Sequence, residues 1–414
     1  MALEQGARRA ALVWPRRAGK DTVSLNWTCR EALLQPGNYW HLFPEQTQAR
    51  KAIWNGINRD GQRIIDQSFP REVCESRHEQ EMLIKLKSGS TWQLGGSDRY
   101  DALVGSNPRG VVFSEYAIAN PRAYEFIRPI LAENGGWAVF PYTPRGRNHG
   151  FELFEQLGAA QDAFAELLTC DDTGHMTAEA LEIERAEMSD ELFQQEYYCS
   201  WDFGIEGSYY ASQMNQALKD GRICHVPYDR SRPVWVAMDL GLRDSTAIWF
   251  AQIGPGGELR LIDYEEHNGQ QLKHYHDLLK DKGYSYADEL ILPHDAGHER
   301  LGMESIEVQL EGMGWRCRVL PREPSIFPGI ESCRVSIGQA VFDEEKTRLG
   351  RAALSAYRKE YDDARNVFKN MPLHDWSSHG ADSFRYLCRA WKGGMMEMGW
   401  RGAIDYSDLD RAVI

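Results

Sequence analysis

The sequence predicts an α/β protein of two domains. Three observations carry that reading. Strands alternate with helices through the first half, a stretch dense in Gly, Pro and turn residues interrupts the chain near 203–232, and strands joined by short turns open the second half before helices return. At 414 residues the chain has the length of two ordinary domains.

In order, AALVW at 10–14 is a short apolar strand running into PRRAGKD, and TVSLNWTCREALL carries apolar residues at helical spacing up to Pro36-Gly37. YWHLFP at 39–44 reads as a second strand and TQARKAIWNGI as a second helix. Further strands are expected at 82–86, 91–94, 110–114 and 137–142, giving a parallel sheet with helices on both faces. The Glu-heavy region 151–200 reads as a helical extension that completes a first domain over 1–202. Residues 203–232 read as a linker and 233–414 as the second domain. There VWVAMDLG, TAIWFAQI and ELRLIDYEE form an antiparallel meander. A helix (QQLKHYHDLLK), a strand ending in ELILPHD at 289–295, and helices at about 331–342, 348–360 and 380–391 follow.

Composition narrows the function. With 47 Lys and Arg against 61 Asp and Glu, the net charge is −14, so a general basic coat for nucleic acid is excluded while a local basic groove is not. Hydrophobic residues make up 42% of the chain, enough for a folded protein. No apolar run reaches the roughly 18–20 residues that span a bilayer, and the amino terminus lacks the apolar stretch of a secretory signal. The 8 cysteines show no CxxC pair, which points to a reduced, intracellular setting and away from a zinc module.

The strand–loop–helix ALVW-PRRAGKDT places Gly19 and Lys20 at the start of a helix directly after a buried strand. Backbone N–H groups there favour phosphate, and the lysine can reach its outer oxygens. Against the pattern G-x-x-x-x-G-K-[ST], Trp14 stands at the first glycine and Asp21 at the hydroxyl position. A later apolar strand, GVVFSEYA, ends at Ser114-Glu115, where phosphate-loop ATPases commonly end in Asp-Glu. Glu115 suits the role of polarising the attacking water, and Ser114 occupies the aspartate's place. The hydroxyl and the carboxylate therefore look exchanged, as Asp21 and Ser114. Mg2+ would still meet one of each, with Thr22 as the competing hydroxyl.

In the second half three aspartates stand on separate elements: Asp239 on VWVAMDLG, Asp295 at the end of ILPHDAG, and Asp382 in SSHGADSFRYL. Such a set can hold two divalent ions that activate water on a phosphodiester, although Asp382 could equally cap a helix. Asp244, Glu265 and Glu266 are candidate auxiliary ligands. His294 and His379 flank the acids, and His274 and His276 read as surface residues.

The ordered set RRAGKD (16–21), VVFSEYA (111–117), YTPRG (142–146), AMDLG (237–241), LPHDAG (292–297) and SHGADSFRYL (378–387) resembles the large terminase subunit of tailed bacteriophages. The resemblance implies a P-loop additional-strand ATPase domain followed by an RNase H-like nuclease domain. It implies that Arg16, Arg17, Ala18, Gly19, Lys20, Asp21 and Thr22 bind ATP and that Glu115 is the catalytic carboxylate. Thr143 would couple hydrolysis to DNA movement, Arg99 or Arg109 would act as an arginine finger, and Asp239, Asp295 and Asp382 would hold Mg2+ or Mn2+. The partners it implies are double-stranded viral DNA, the portal protein, the small terminase subunit and further copies in a ring on the prohead. All of these meet in the host cytoplasm, with the protein absent from the mature virion and no membrane involved. Lys392, Arg389 and Arg401 are candidate DNA contacts. The alternatives are a stand-alone metal nuclease with a degenerate phosphate loop, or a packaging ATPase whose nuclease is silent.

Overall fold

A computed structural model describes residues 3–98, 100, 107–241, 245–298, 304–362, 367–392 and 394. The chain divides into two units, Met1–Glu206 and Gly207–Ile414. Among the described residues no helix is long and apolar enough to cross a membrane.

The first unit contains the strands β1 (Arg9–Val13), β2 (Asn38–Phe43), β3 (Cys74–His78), β4 (Leu83–Leu86), β5 (Thr91–Gly96), β6 (Pro108–Phe113), β7 (Trp137–Tyr142) and β8 (Ala163–Leu167). They form one sheet in the order β3-β4-β5-β2-β6-β7-β1-β8. The pairings from β5 to β8 are parallel, and β3 and β4 add an antiparallel edge. The central strands are near-continuous apolar runs because both faces are covered. Along β1, Ala10 and Leu12 enter one core with Leu25 and Trp27 of the helix Lys20–Leu34. Ala11 and Val13 enter the opposite core with Ala123, Ile127 and Leu131 of the helix Pro121–Asn134. β7 lies between β1 and β6, so an additional strand separates the phosphate-loop strand from the acidic one. This is the additional-strand ATPase arrangement.

The second unit contains β9 (Ile223–Cys224), β10 (Val234–Asp239), β11 (Ser245–Ile253), β12 (Leu259–Asn268), β13 (Tyr286–Leu292), β14 (Cys317–Val319) and β15 (Val341–Asp343), in the order β14-β13-β10-β11-β12-β15-β9. The meander β10-β11-β12 is antiparallel, and β13 and β14 run parallel to β10 on its other side. That order and direction make the sheet RNase H-like. The helix Trp376–Lys392 lies over the sheet with Phe384, Leu387 and Cys388 in the same core as Trp249 and Leu261.

Several boundaries differ from expectation. The stretch read as a linker folds with the second unit from Gly207 onward. It forms the helix Ala211–Lys219 and β9, and Tyr210 is fully buried in that unit's core. Turn residues marked the boundary correctly in kind, but the tyrosines and Met214 give the segment a face to bury. The region 151–200 is not all helix, since β8 pairs with β1. The second helix is one α turn, Gln46–Ala49, continued as a π turn over Arg50–Trp54. The helices expected at about 331–342, 348–360 and 380–391 are Phe327–Ile337, Arg348–Ala356 and Trp376–Lys392. They are separated by β15 and by the hairpin strands β16 (Lys359–Asp362) and β17 (Val367–Pro372).

Candidate active sites

In the first unit β1, β2, β6 and β7 all end on one edge of the sheet, where open α/β sheets bind ligands. β1 runs into the loop 14–19. Arg17 has φ 60° and Gly19 φ 85°, the second with open space where a Cβ would stand. The helix then starts at Lys20, its first-turn N–H groups facing the loop. The loop is braced from two sides. The Arg16 N–H donates to the Glu196 carbonyl at 2.9 Å, and the His175 ring meets the Arg16 carbonyl at 3.1 Å. The carboxylate of Glu196 in turn pairs with Arg145 of the YTPRG segment at 2.5 Å. Arg16 and Arg17 are exposed, with Ala18 between them and Gly19.

Lys20 is buried. Its ammonium donates to Thr143 Oγ1 at 3.0 Å and lies 3.6 Å from Glu115 Oε1, while Thr143 donates to the Trp14 carbonyl at 3.1 Å. Glu115 has φ 54°, a left-handed conformation that a non-glycine residue rarely adopts. Asp21 meets Ser114 directly: the serine hydroxyl donates to Asp21 Oδ1 at 2.5 Å. The residues that look exchanged in sequence are thus in contact, at the place where a hydroxyl and a carboxylate would serve Mg2+, and this donor pair fits the ion's preference for oxygen. Thr22, the competing hydroxyl, is exposed, and it is Asp21 that reaches the acidic strand. Burial pushes the Asp21 carboxyl up, but a hydrogen bond and the charge of His41, the Ser114 hydroxyl and Lys20 together bring it below its ordinary value. Trp14, at the missing glycine, donates from Nε1 to Glu166 at 3.0 Å and lines an apolar cavity of about 280 Å³ beside the loop with Leu12, Trp27 and Phe164.

Sequence reasoning missed His41. This fully buried histidine of β2 places Nε2 2.7 Å from Ser114 Oγ and 3.7 Å from Asp21 Oδ1. Its signal was available: one polar residue in the middle of the apolar run YWHLF. Arg109 is not at this edge. It lies near the start of β6, five residues or roughly 16 Å from Ser114 along the strand, and donates to Gln35 at 3.0 Å. Arg99, the other finger candidate, lies outside the described residues, as do Asp244 and Arg401.

In the second unit Asp239 ends β10, where the charges of Asp382 and Asp295 act on it. Asp295 lies just past β13, in a turn over His294–Gly297 and not on the strand itself. Asp382 stands well inside the helix Trp376–Lys392, which removes the capping alternative. Two features seat this helix. The Ser383 hydroxyl donates to the Ala237 carbonyl of β10 at 2.9 Å, and Gly380 lies so close to Ala353 and Tyr264 that a Cβ would come within 2.8 Å of each. Burial pushes the Asp239 carboxyl up to about 6. The His379 imidazole, 3.5 Å away, pulls it down, and the like charges of Asp382 and Asp295 raise it again.

A crowd of carboxylates with one proton affinity raised is the donor chemistry a divalent cation relieves. Yet among the described residues no group of three or more acidic, imidazole or thiol side chains is arranged to hold a metal ion. Arg385, which sequence reasoning also missed, donates to Asp382 at 2.8 Å and lies 3.5 Å from Glu323, which Arg389 also meets at 3.2 Å. Asp382 is thus committed in part to an arginine, and Arg389 is not a free DNA contact. Lys392 reaches Gln339 at 3.3 Å.

Glu265 pairs with Lys282 at 2.5 Å and with His267 at 3.2 Å. Glu266 lies two strands from Asp239 in register and accepts from Tyr264 at 2.5 Å. His274 and His276 are half-buried and not surface residues: the first packs on His267, and the second accepts from Trp315 at 3.0 Å.

No protein-family profile matches the chain, and no curated protein matches it. Solved structures do. The large terminase of a thermophilic bacteriophage, in complex with ADP, is 17% identical, with 93% of this chain and 94% of that one covered at a TM-score of 0.41. The large terminase of bacteriophage HK97 is 10% identical, covering 93% and 91% at 0.40. The large terminase nuclease of the thermophilic phage G20c, with bound cobalt, is 16% identical, covering 44% and 97% at 0.32. At the level of fold, the chain is similar to the large terminases of several bacteriophages.

Proposed function

We propose that the chain is the ATP-hydrolysing and DNA-cutting large subunit of a phage packaging motor. One observation carries the reading. A single chain joins an additional-strand sheet, whose loop lysine, strand-end glutamate and Asp21–Ser114 pair converge, to an RNase H-like sheet that ends one strand in Asp239, on which the charges of Asp382 and Asp295 act. In the first site the loop amides and Lys20 bind the outer phosphates, and Glu115 orients and deprotonates the attacking water. Thr143, bonded to Lys20 and to the loop carbonyl of Trp14, passes the change at the phosphates to the YTPRG segment, where Arg145 holds Glu196. Asp21 and Ser114 would hold the nucleotide's Mg2+. In the second site Asp239, Asp295 and Asp382, not gathered into a metal site as they stand, would have to close on Mg2+ or Mn2+ to cut a phosphodiester. The partners in this reading are double-stranded viral DNA, the portal, the small terminase subunit and further copies in a ring on the prohead, in the host cytoplasm.

A second reading, a packaging ATPase with a silent nuclease, is favoured by the Arg385 contact to Asp382. Supercoiled plasmid incubated with Mg2+ or Mn2+, alongside a phosphate-release assay, separates the two. We expect metal-dependent nicking that disappears in Asp295→Ala and ATP hydrolysis that disappears in Lys20→Ala. Hydrolysis without nicking selects the silent-nuclease reading, and neither activity from folded protein overturns both.

A further inference from the structure

We infer that His41 is a positioning residue that sets the rotation of the Ser114 hydroxyl, and through it the capacity of the Asp21–Ser114 pair to take the Mg2+ of a bound nucleotide. The inference rests on the proposal that this site binds a Mg2+–nucleotide. Its starting point is an energetic oddity. His41 sits in the middle of β2, fully buried, stacked on Phe43 at 5.5 Å and edge-on to Trp92 at 6.3 Å. Leucine or phenylalanine would fill that space without bringing polar nitrogens into an apolar core, which is unfavourable unless they are bonded. Only one nitrogen is. Nε2 lies 2.7 Å from Ser114 Oγ, while Nδ1 is buried and has no partner among the described residues.

The proton count then orders the chain of contacts. Ser114 has one hydroxyl hydrogen, and its 2.5 Å contact to a carboxylate that can only accept claims it. Ser114 Oγ must therefore accept from His41, so Nε2 carries a hydrogen and donates it. The order is His41 Nε2–H to Ser114 Oγ–H to Asp21 Oδ1. Of the two lone pairs on Ser114 Oγ, one is taken by His41 and one is left for a cation. Without the imidazole the hydroxyl is anchored at Asp21 alone, and when that carboxylate turns to a cation nothing else keeps the free lone pair in place. With it, the hydroxyl has one orientation. Where a phosphate loop carries its own hydroxyl, a strand carboxylate has no such rotor to fix, so the exchange of Asp21 and Ser114 creates the need that His41 meets.

The test is equilibrium binding of N-methylanthraniloyl-ADP to the full chain, with Mg2+ and with EDTA. In the unsubstituted protein Mg2+ tightens binding. In His41→Leu we expect that tightening to shrink about tenfold, the upper end for one neutral hydrogen bond, while affinity in EDTA stays the same. His41→Gln, whose amide nitrogen reaches the same point as Nε2, should restore most of it, which a merely space-filling role would not do. In a Ser114→Ala background His41→Leu should have no further effect on the Mg2+ dependence. Full Mg2+ tightening in folded His41→Leu, failure of Gln to rescue, or an undiminished effect without Ser114 would each overturn the inference. If the unsubstituted protein binds no nucleotide under either condition, it is the proposed function that fails first and the role of His41 falls with it. Should His41→Leu not fold, the Gln variant and Ser114→Ala still decide: Gln must keep the Mg2+ response that Ala loses.

Discussion

In the proposed reading the first site depends on Asp21 and Ser114, which touch each other and which motif reading would pass over. Asp21→Ala leaves Ser114 without its acceptor and the phosphates without a carboxylate-held cation, and should lower Mg2+-dependent ATP hydrolysis by at least 10²-fold, an effect on the order of 3 kcal/mol. Full activity in that variant, measured by phosphate release, would remove Asp21 from the site. The loop glycine, Lys20, Glu115 and the exchange itself were legible in the sequence because each follows from a strand end meeting a helix start. Glu196, His175 and Arg385 were not, and His41 stood out only as a polar residue in an apolar run whose partner the sequence does not name. Their partners are distant in sequence, and nothing local in HLFP or FRYL says what an imidazole or guanidinium will meet.

Elements were read best where apolar periodicity was strong. β1, β2, β6 and β7 lie within a residue or two of expectation because both their faces are buried, whereas β3 is polar along its length and β8 is half-buried throughout, so neither shows a clear apolar pattern. One helix start carries a titration consequence. The helix His149–Ala159 is capped by Asn148, and the His149 ring meets the Tyr116 carbonyl at 2.7 Å, tying the helix to the turn that follows Glu115. Burial pushes this imidazole down to about 4, outweighing the Tyr116 and Ala119 carbonyls that raise it. The unfolded chain takes up the proton near pH 6.5, so between the two values the native state binds fewer protons than the unfolded state. The stabilisation is complete above about pH 6.5 and is lost as pH falls toward 4, at about 1.4 kcal/mol per pH unit and on the order of 3 kcal/mol in all. Urea melts of the first unit should show this decline, and His149→Gln should flatten it. Equal slopes for the two proteins would exclude His149 as the source.

On the scale of the whole molecule, each unit encloses cores built from its own residues, two major ones on either face of each sheet. A fragment spanning Gly207–Ile414 should therefore fold cooperatively and nick plasmid in the presence of a divalent metal without ATP. Circular dichroism with a thermal scan, followed by the plasmid assay, checks this; a fragment that stays unfolded would show that the second unit needs the first. The change of texture near 203–232 made the division legible. Its position was not, because Gly207 takes φ 76° against Phe368, a partner 161 residues away (368 − 207) that no local pattern announces.

The meeting of Asp21 and Ser114 also bears on how such a site could have been inherited. Starting from the common arrangement, hydroxyl on the loop and acid on the strand, two single steps are open. Losing the strand acid first leaves two hydroxyls and no anionic ligand, so the cation is released and the ancestor is inactive. Gaining the loop acid first sets two carboxylates side by side, and their mutual repulsion is eased when one keeps its proton or both share the ion. Only the second path keeps an anionic ligand at the site at every step. A lineage carrying this pair should therefore include relatives with acids at both positions, and searches that fix each motif on its own would pass over every one of them.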